Sequence, residues 1–164
     1  MWLPWENAFR KNKPNPENLQ SLFERLGHMD VQTVTIHHLI KSEDLNHHGT
    51  LFAGRSAEWF VESGFIAAAE LVPPDSLVCL KIHGMVFSIP VYCGEIVVFQ
   101  GKIVHTGRSS MVANIRVVRG GQQVLDGFIT FVHVNKEGKS LPHGIVITPS
   151  CEEDKELQER AREL

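Results

Sequence analysis

The chain has 164 residues, of which 43% are hydrophobic and 21% charged, the balance of a globular protein with one core of ordinary size. Its formal net charge of −3 argues against nucleic acid as the main partner, because phosphate-backbone binding needs a basic face. A local basic spot for a small phosphorylated ligand stays open. Three widely spaced cysteines, Cys79, Cys93 and Cys151, make an odd count that does not suit a disulfide framework, and a reducing cytoplasm is the simplest setting. Cys79 and Cys93 read as inert packing residues. The start, MWLPWENAFRKNK, does not have the basic patch and unbroken apolar run of a signal peptide. No stretch approaches the ~20 apolar residues of a membrane span.

Residues 1–30 read as an irregular lead-in followed by a short helix that opens at Pro16 and closes at Gly27. VQTVTIHHLI, residues 31–40, is rich in β-branched side chains and predicts a strand. A long helix follows from about Leu51 to Leu71 and is stopped by Pro73 and Pro74. Its small residues, Ala53, Ala57, Gly64, Ala67 and Ala68, predict a close approach to something flat, while Arg55, Glu58 and Glu62 share the opposite stripe. Four strand-like runs come next, at 76–87, 95–106, 109–118 and 122–134, divided by turn residues such as Gly94, Gly107 and the Gly120-Gly121 pair. The tail from about Cys151 is charged and alternates in sign, which predicts a solvated helix at best. A strand, a long helix and four antiparallel strands make an α+β domain in which a curved sheet of about five strands wraps one central helix. The expected layout is a single domain with its core at 31–145 and a charged tail at 146–164.

SEDLNHHGTLFAG leads directly into the long helix, and MVFSIPVYCGE, HTGRSSM and TFVHVNKEGKSLP follow in order. Together these resemble the acyl-CoA thioester hydrolases of the hotdog superfamily, over roughly residues 31–145. The resemblance rests on Asn46, Gly49, Thr50, Phe52, Ala53 and Gly54 at the mouth of the helix. It implies the hotdog fold, hydrolysis of acyl-CoA to free acid and coenzyme A, and no cofactor beyond the thioester substrate; no metal is expected, because no Cys or third histidine sits at zinc spacing from His47 and His48. It also implies a homodimer or a trimer of dimers with sites shared between subunits. The turn suits that chemistry on physical grounds, because free N–H groups at a helix N-terminus favour an oxyanion. The resemblance places the oxyanion donor at the backbone N–H of Ala53, with Gly54 allowing close approach. It gives Asn46 the task of holding the water or the carbonyl. Arg108, Ser109 and Ser110 would take the nucleotide end of coenzyme A, where a planar guanidinium and hydroxyl donors suit phosphate. His47 and His48 read as loop residues rather than metal ligands, and His83 as a strand histidine that could face the pocket.

One departure bears on the chemistry. The family's carboxylate falls at position 61, and this chain has Val61 there. Three readings follow. Glu62, or else Glu58, acts as base or nucleophile; Arg55, Glu58 and Glu62 form a polar stripe at a subunit contact; or the pocket binds acyl-CoA as a non-hydrolytic, regulatory protein.

Overall fold

The computed structural model describes residues 31–164, so the expected helix at 16–27 lies outside the described residues. In chain order the elements are β1 (Val34–Leu39), α1 (Ala53–Ala69), β2 (Leu77–Phe87), β3 (Ile96–Thr106), β4 (Ser110–Arg119), β5 (Gln122–His133) and α2 (Glu152–Arg162). The five strands form one antiparallel sheet in the order β1-β3-β4-β5-β2. Within the described residues the long helix and all five predicted strands are present, with ends that differ from the expected bounds by no more than three residues.

α1 lies across the middle of the sheet, against β3 and β4 above all. Its buried face carries Ser56, Phe60, Ser63, Gly64, Ala67 and Ala68, which meets Phe99, Ile103, Ile115, Ile129 and Phe131 from the strands. Burying a side chain such as Phe60 completely is worth roughly 1.5–3 kcal/mol. Of the small residues expected to mark a flat contact, Gly64, Ala67 and Ala68 are buried, whereas Ala57 is half-buried and Ala53 is exposed at the helix start; the sheet has a matching gap. A Cβ at Gly101 on β3 would stand 2.8 Å from the Ser63 carbonyl oxygen. Helix backbone and sheet backbone are therefore in contact. At Gly127 on β5, a Cβ would meet the Gly84 carbonyl oxygen at 2.3 Å and the Phe60 ring at 2.9 Å.

The tail differs from the sequence expectation. α2 is not merely solvated: Leu157 and Ala161 are buried with Val104, Val112 and Phe128 on the outer face of the sheet. Lys102 on β3 pairs with both carboxylate oxygens of Asp154 at 2.7 and 2.8 Å, and Gln158 donates to the carbonyls of Val104 and Ile147. The charge alternation hid a narrow apolar stripe of only two residues. Cys79 and Cys93 are also corrected, since both are exposed rather than packed.

β1 and β2 are the two edges of the sheet. β2 is 11 residues long and leaves Val78, Leu80, Ile82, Val86 and Phe87 exposed. A long apolar edge of this kind invites pairing with another strand.

Candidate active site

The loop ahead of α1 is a closed turn. Gly49, at φ +76°, donates its N–H to the Asn46 carbonyl at 3.0 Å, and the Asn46 N–H returns to the Thr50 carbonyl at 2.8 Å. The Asn46 side chain is committed largely to that turn. Its Oδ1 accepts from the N–H groups of His48 (2.9 Å) and Thr50 (3.3 Å), and its Nδ2 donates to Thr50 Oγ1 (3.0 Å). An amide nitrogen carries two hydrogens, so one remains for a ligand.

α1 starts without a side-chain cap. The Phe52 N–H donates to the Asp44 carbonyl, and the first helical bond runs from the Ser56 N–H to the Phe52 carbonyl at 3.1 Å. Between them, the N–H groups of Ala53, Gly54 and Arg55 bond to no described residue. These are the orphan donors of a helix start, at the positive end of its dipole.

A cleft of about 290 Å³ opens at this helix end, lined by Asn46, Ala53 and Ser56 on one side and by Phe87, Ile89 and Val91 among others on the opposite side. Its far wall is fastened to the turn. The Leu51 N–H donates to the Val91 carbonyl at 2.8 Å, and Thr50 bridges to Tyr92. Arg119 donates to the Pro90 carbonyl (2.8 Å) and to Glu95 (3.0 Å), while Glu95 accepts the Tyr92 N–H (2.7 Å). That backbone hydrogen bond and Arg119 together hold the Glu95 carboxyl below its ordinary range, against a smaller opposing effect of burial.

Free amides and an asparagine facing one cleft beside a helix N-terminus form a site for a carbonyl oxygen. A family model described as "Thioesterase superfamily" matches residues 48–125, from the turn through to β5. Over that span, just under half of its length, the chain resembles the thioesterase superfamily, and its fold is the hotdog fold. Among solved structures, it is similar to a hexameric acyl-CoA thioesterase in its apo form, at 27% identity and TM-score 0.75, covering 83% of this chain and 91% of that one. An acyl-CoA hydrolase from Bacillus cereus is 26% identical at TM-score 0.73, over 82% of this chain and 85% of that one. A hexameric thioesterase from Yersinia pestis is 27% identical at TM-score 0.60, over 70% and 96%. No curated protein matches the chain.

In this chain the predicted site residues divide into three places. Asn46 and Ala53 share the cleft. Gly54 lines a separate hollow of about 310 Å³ with Asp44, Arg55 and Glu58, and the Phe52 ring lies over it so closely that a Cβ would fall 2.5 Å from the ring. Glu58 is exposed and accepts from Arg55 at 2.7 Å, and Arg55 also reaches Asp44 at 3.2 Å. Glu62 is exposed as well. Nine residues beyond Ala53, it points about 180° away around the helix. It faces the β1 flank, where its charge acts on His38. His38 stacks on Trp59 with ring centroids 4.0 Å apart. Burial lowers the His38 pKa, with Glu62 and then Asp44 pulling the other way. Neither glutamate is brought to the cleft within one chain, and Val61 packs against the core.

Arg108, Ser109 and Ser110 form the β3–β4 turn, at the opposite end of β3 from the cleft wall. Ten strand rises give β3 a length of about 33 Å from end to end. The turn is rigid: its Ser109 carbonyl accepts the His133 N–H at 2.8 Å, and its Arg108 carbonyl accepts the His143 N–H at 3.3 Å. The Arg108 guanidinium is exposed and pairs with no described residue. His47 and His48 are exposed in the turn with ring centroids 3.9 Å apart. His83 contacts Thr130 Oγ1 at 2.7 Å and does not line the cleft. Burial, and then Lys81, lowers its pKa. The sequence reading missed Ser56 and the Arg119–Glu95 clamp. Ser56 could have been found from its helical spacing, three residues after Ala53 and one turn before Phe60.

Proposed function

We propose that the protein hydrolyses acyl-CoA thioesters slowly, by holding the carbonyl oxygen at the helix N-terminus rather than by deploying a carboxylate of that helix. The observation that carries this reading is the pairing of the free Ala53 amide with Asn46 in one cleft that no carboxylate lines. Water attacks the carbonyl carbon, negative charge gathers on the oxygen, and the Ala53 N–H bonds it. The leaving group is a thiolate, a much weaker base than an alkoxide, so its departure needs little help from an acid. In a serine protease stripped of its triad, oxyanion donors and binding alone leave roughly 10³–10⁴-fold catalysis over water. That sets the scale expected here. The base is not assigned to Glu62 or Glu58.

Self-association completes the proposed site. Two copies joined antiparallel along their β2 edges would set the Leu77 end of one beside the Phe87 end of the other. Leu77 pairs with His133, and Ser110 lies opposite Val132 next to it, so that pairing carries the Arg108–Ser110 turn of a second copy towards the cleft of the first. The separation of turn and cleft inside one chain is then no obstacle. Arg108 would take a phosphate of coenzyme A, with Ser109 and Ser110 as further donors. The exposed apolar β2 edge and the hexameric state named for two similar thioesterases support an assembly built from such pairs.

A second reading is favoured by Val61 itself: acyl-CoA is bound and not turned over. Free-thiol release from acyl-CoAs of several chain lengths separates the two, with Glu62→Gln and Glu58→Gln run beside the wild type. Release above background that survives both substitutions is the expected result. No release, with measurable coenzyme A binding, establishes the second reading.

A further inference from the structure

We propose that the Ser56 hydroxyl is a further oxyanion donor, acting on the same carbonyl oxygen as the Ala53 amide and selecting ligands that carry that carbonyl. This rests on the reading of the cleft as a thioester site. Ser56 is only 4% exposed, yet it lines the cleft together with Ala53 and Asn46. Its hydroxyl bonds to no described residue. Ser63, seven residues on along the same buried face, shows the usual arrangement for a helical serine: its Oγ donates back to the Trp59 carbonyl at 2.7 Å. Ser56 makes no such bond to Phe52, although that carbonyl is four residues behind it.

Although the residue is 4% exposed, its Oγ is not a sealed-off atom: solvent reaches it, and so can a ligand in the cleft. The cleft is the place where Ser56 meets its partner. Side chains on a helix lean towards its N-terminus, so the Ser56 Oγ leans over the first turn, where the amides of Ala53 and Gly54 are free. The Ser56 hydroxyl and the Ala53 amide line the same cleft, and two such donors suit an atom that only accepts and that gains charge during the reaction. The thioester carbonyl oxygen is such an atom.

Ser56 is a donor here and not a nucleophile. No described histidine or carboxylate lines the cleft to take its proton, and an unassisted serine is a weak nucleophile. It keeps its proton throughout. The water oxygen forms the new bond to carbon, the C–S bond breaks with its electron pair leaving on sulfur, and the protons of the water pass to solvent.

The test uses the full-length protein, Ser56→Ala and Ser56→Thr, with two readouts. The first is thiol release from acyl-CoA. Ser56→Ala is expected to lower kcat on the order of 10²-fold, as loss of one such donor does elsewhere, with KM changed less than about twofold. Ser56→Thr, which keeps the hydroxyl, restores most of the rate. The second is binding of two inert coenzyme A derivatives, a ketone with CH₂ in place of the thioester sulfur, and a thioether without the carbonyl. The wild type binds the ketone more tightly, and Ser56→Ala loses that margin. Equal turnover by Ser56→Ala and wild type overturns the proposal, as does a ketone preference that is absent in the wild type or unchanged in Ser56→Ala. A wild type that releases no thiol overturns the hydrolytic reading alone, and the two derivatives still decide the role of Ser56.

Discussion

Asp154→Asn isolates what holds α2 to the outer face of the sheet. The substitution keeps the shape of the side chain and removes its charge, leaving the Lys102 ammonium, whose side chain is 21% exposed, without its partner. Burial pushes the Asp154 carboxyl up, but hydrogen bonds from Lys102 and Ser150, with the Lys102 charge, outweigh it and hold the pKa at about 2, against an ordinary 3.8. A gap of roughly 1.8 units at 1.36 kcal/mol each is about 2 kcal/mol. The folded value lies below the unfolded one, so this contribution is fully present above pH ~4. It is lost as pH falls through the folded value near 2. Urea titrations at pH 7 should therefore find Asp154→Asn about 2 kcal/mol less stable than wild type, and the difference should close as the pH approaches 2. α2 has only 11 residues and cannot persist undocked, so its amides should lose hydrogen-exchange protection first. A variant within about 0.5 kcal/mol of wild type at pH 7 would refute the reasoning, and so would a difference that persists at pH 2.

Three further outcomes follow from the same geometry. Gly101→Ala drives a methyl group into the Ser63 carbonyl oxygen, where its Cβ would stand 2.8 Å away. Overpacking of that kind costs about 1–3 kcal/mol, and a thermal melt should show it as a fall of several degrees in Tm, with slower turnover because α1 shifts. Arg108→Gln should raise KM for acyl-CoA several-fold at unchanged kcat and weaken the dependence of KM on salt, measured at two ionic strengths. Leu80→Lys places a charge on the β2 edge where the side chain is now 67% exposed. Light scattering should find the protein dissociated, with turnover lost alongside.

The sequence made the fold legible because period and punctuation agreed. β-branched runs alternated with Gly and Pro turns, and the small-residue face of α1 announced a close helix–sheet contact that Gly101 completes. The turn at Asn46 and the donor at Ala53 were legible for the same reason, since both are local: a glycine, an asparagine and a helix start within eight residues. What was not legible was anything that depends on direction around the helix or on distant partners. Glu62 and Glu58 looked available as acids, but their azimuth sets them on the flank of α1 away from the cleft. Ser56 carried no signal of its own, because the cleft it lines is closed by the wall at 87–91, distant in sequence. Arg119 and Glu95 lie 24 residues apart and clamp that wall together, which no local pattern announces. The α2 contact rests on two small apolar positions, Leu157 and Ala161, in a segment dominated by charge.

The central claim is that this cleft turns over thioesters without a carboxylate from its own helix. The direct measurement is kcat for thiol release by wild type and Val61→Asp, side by side on one acyl-CoA. The account predicts slow but measurable release by the wild type and a gain of about 10²–10⁴-fold for Val61→Asp, the usual worth of a positioned general base. A wild-type rate indistinguishable from buffer, or a Val61→Asp variant no faster than wild type, would contradict it.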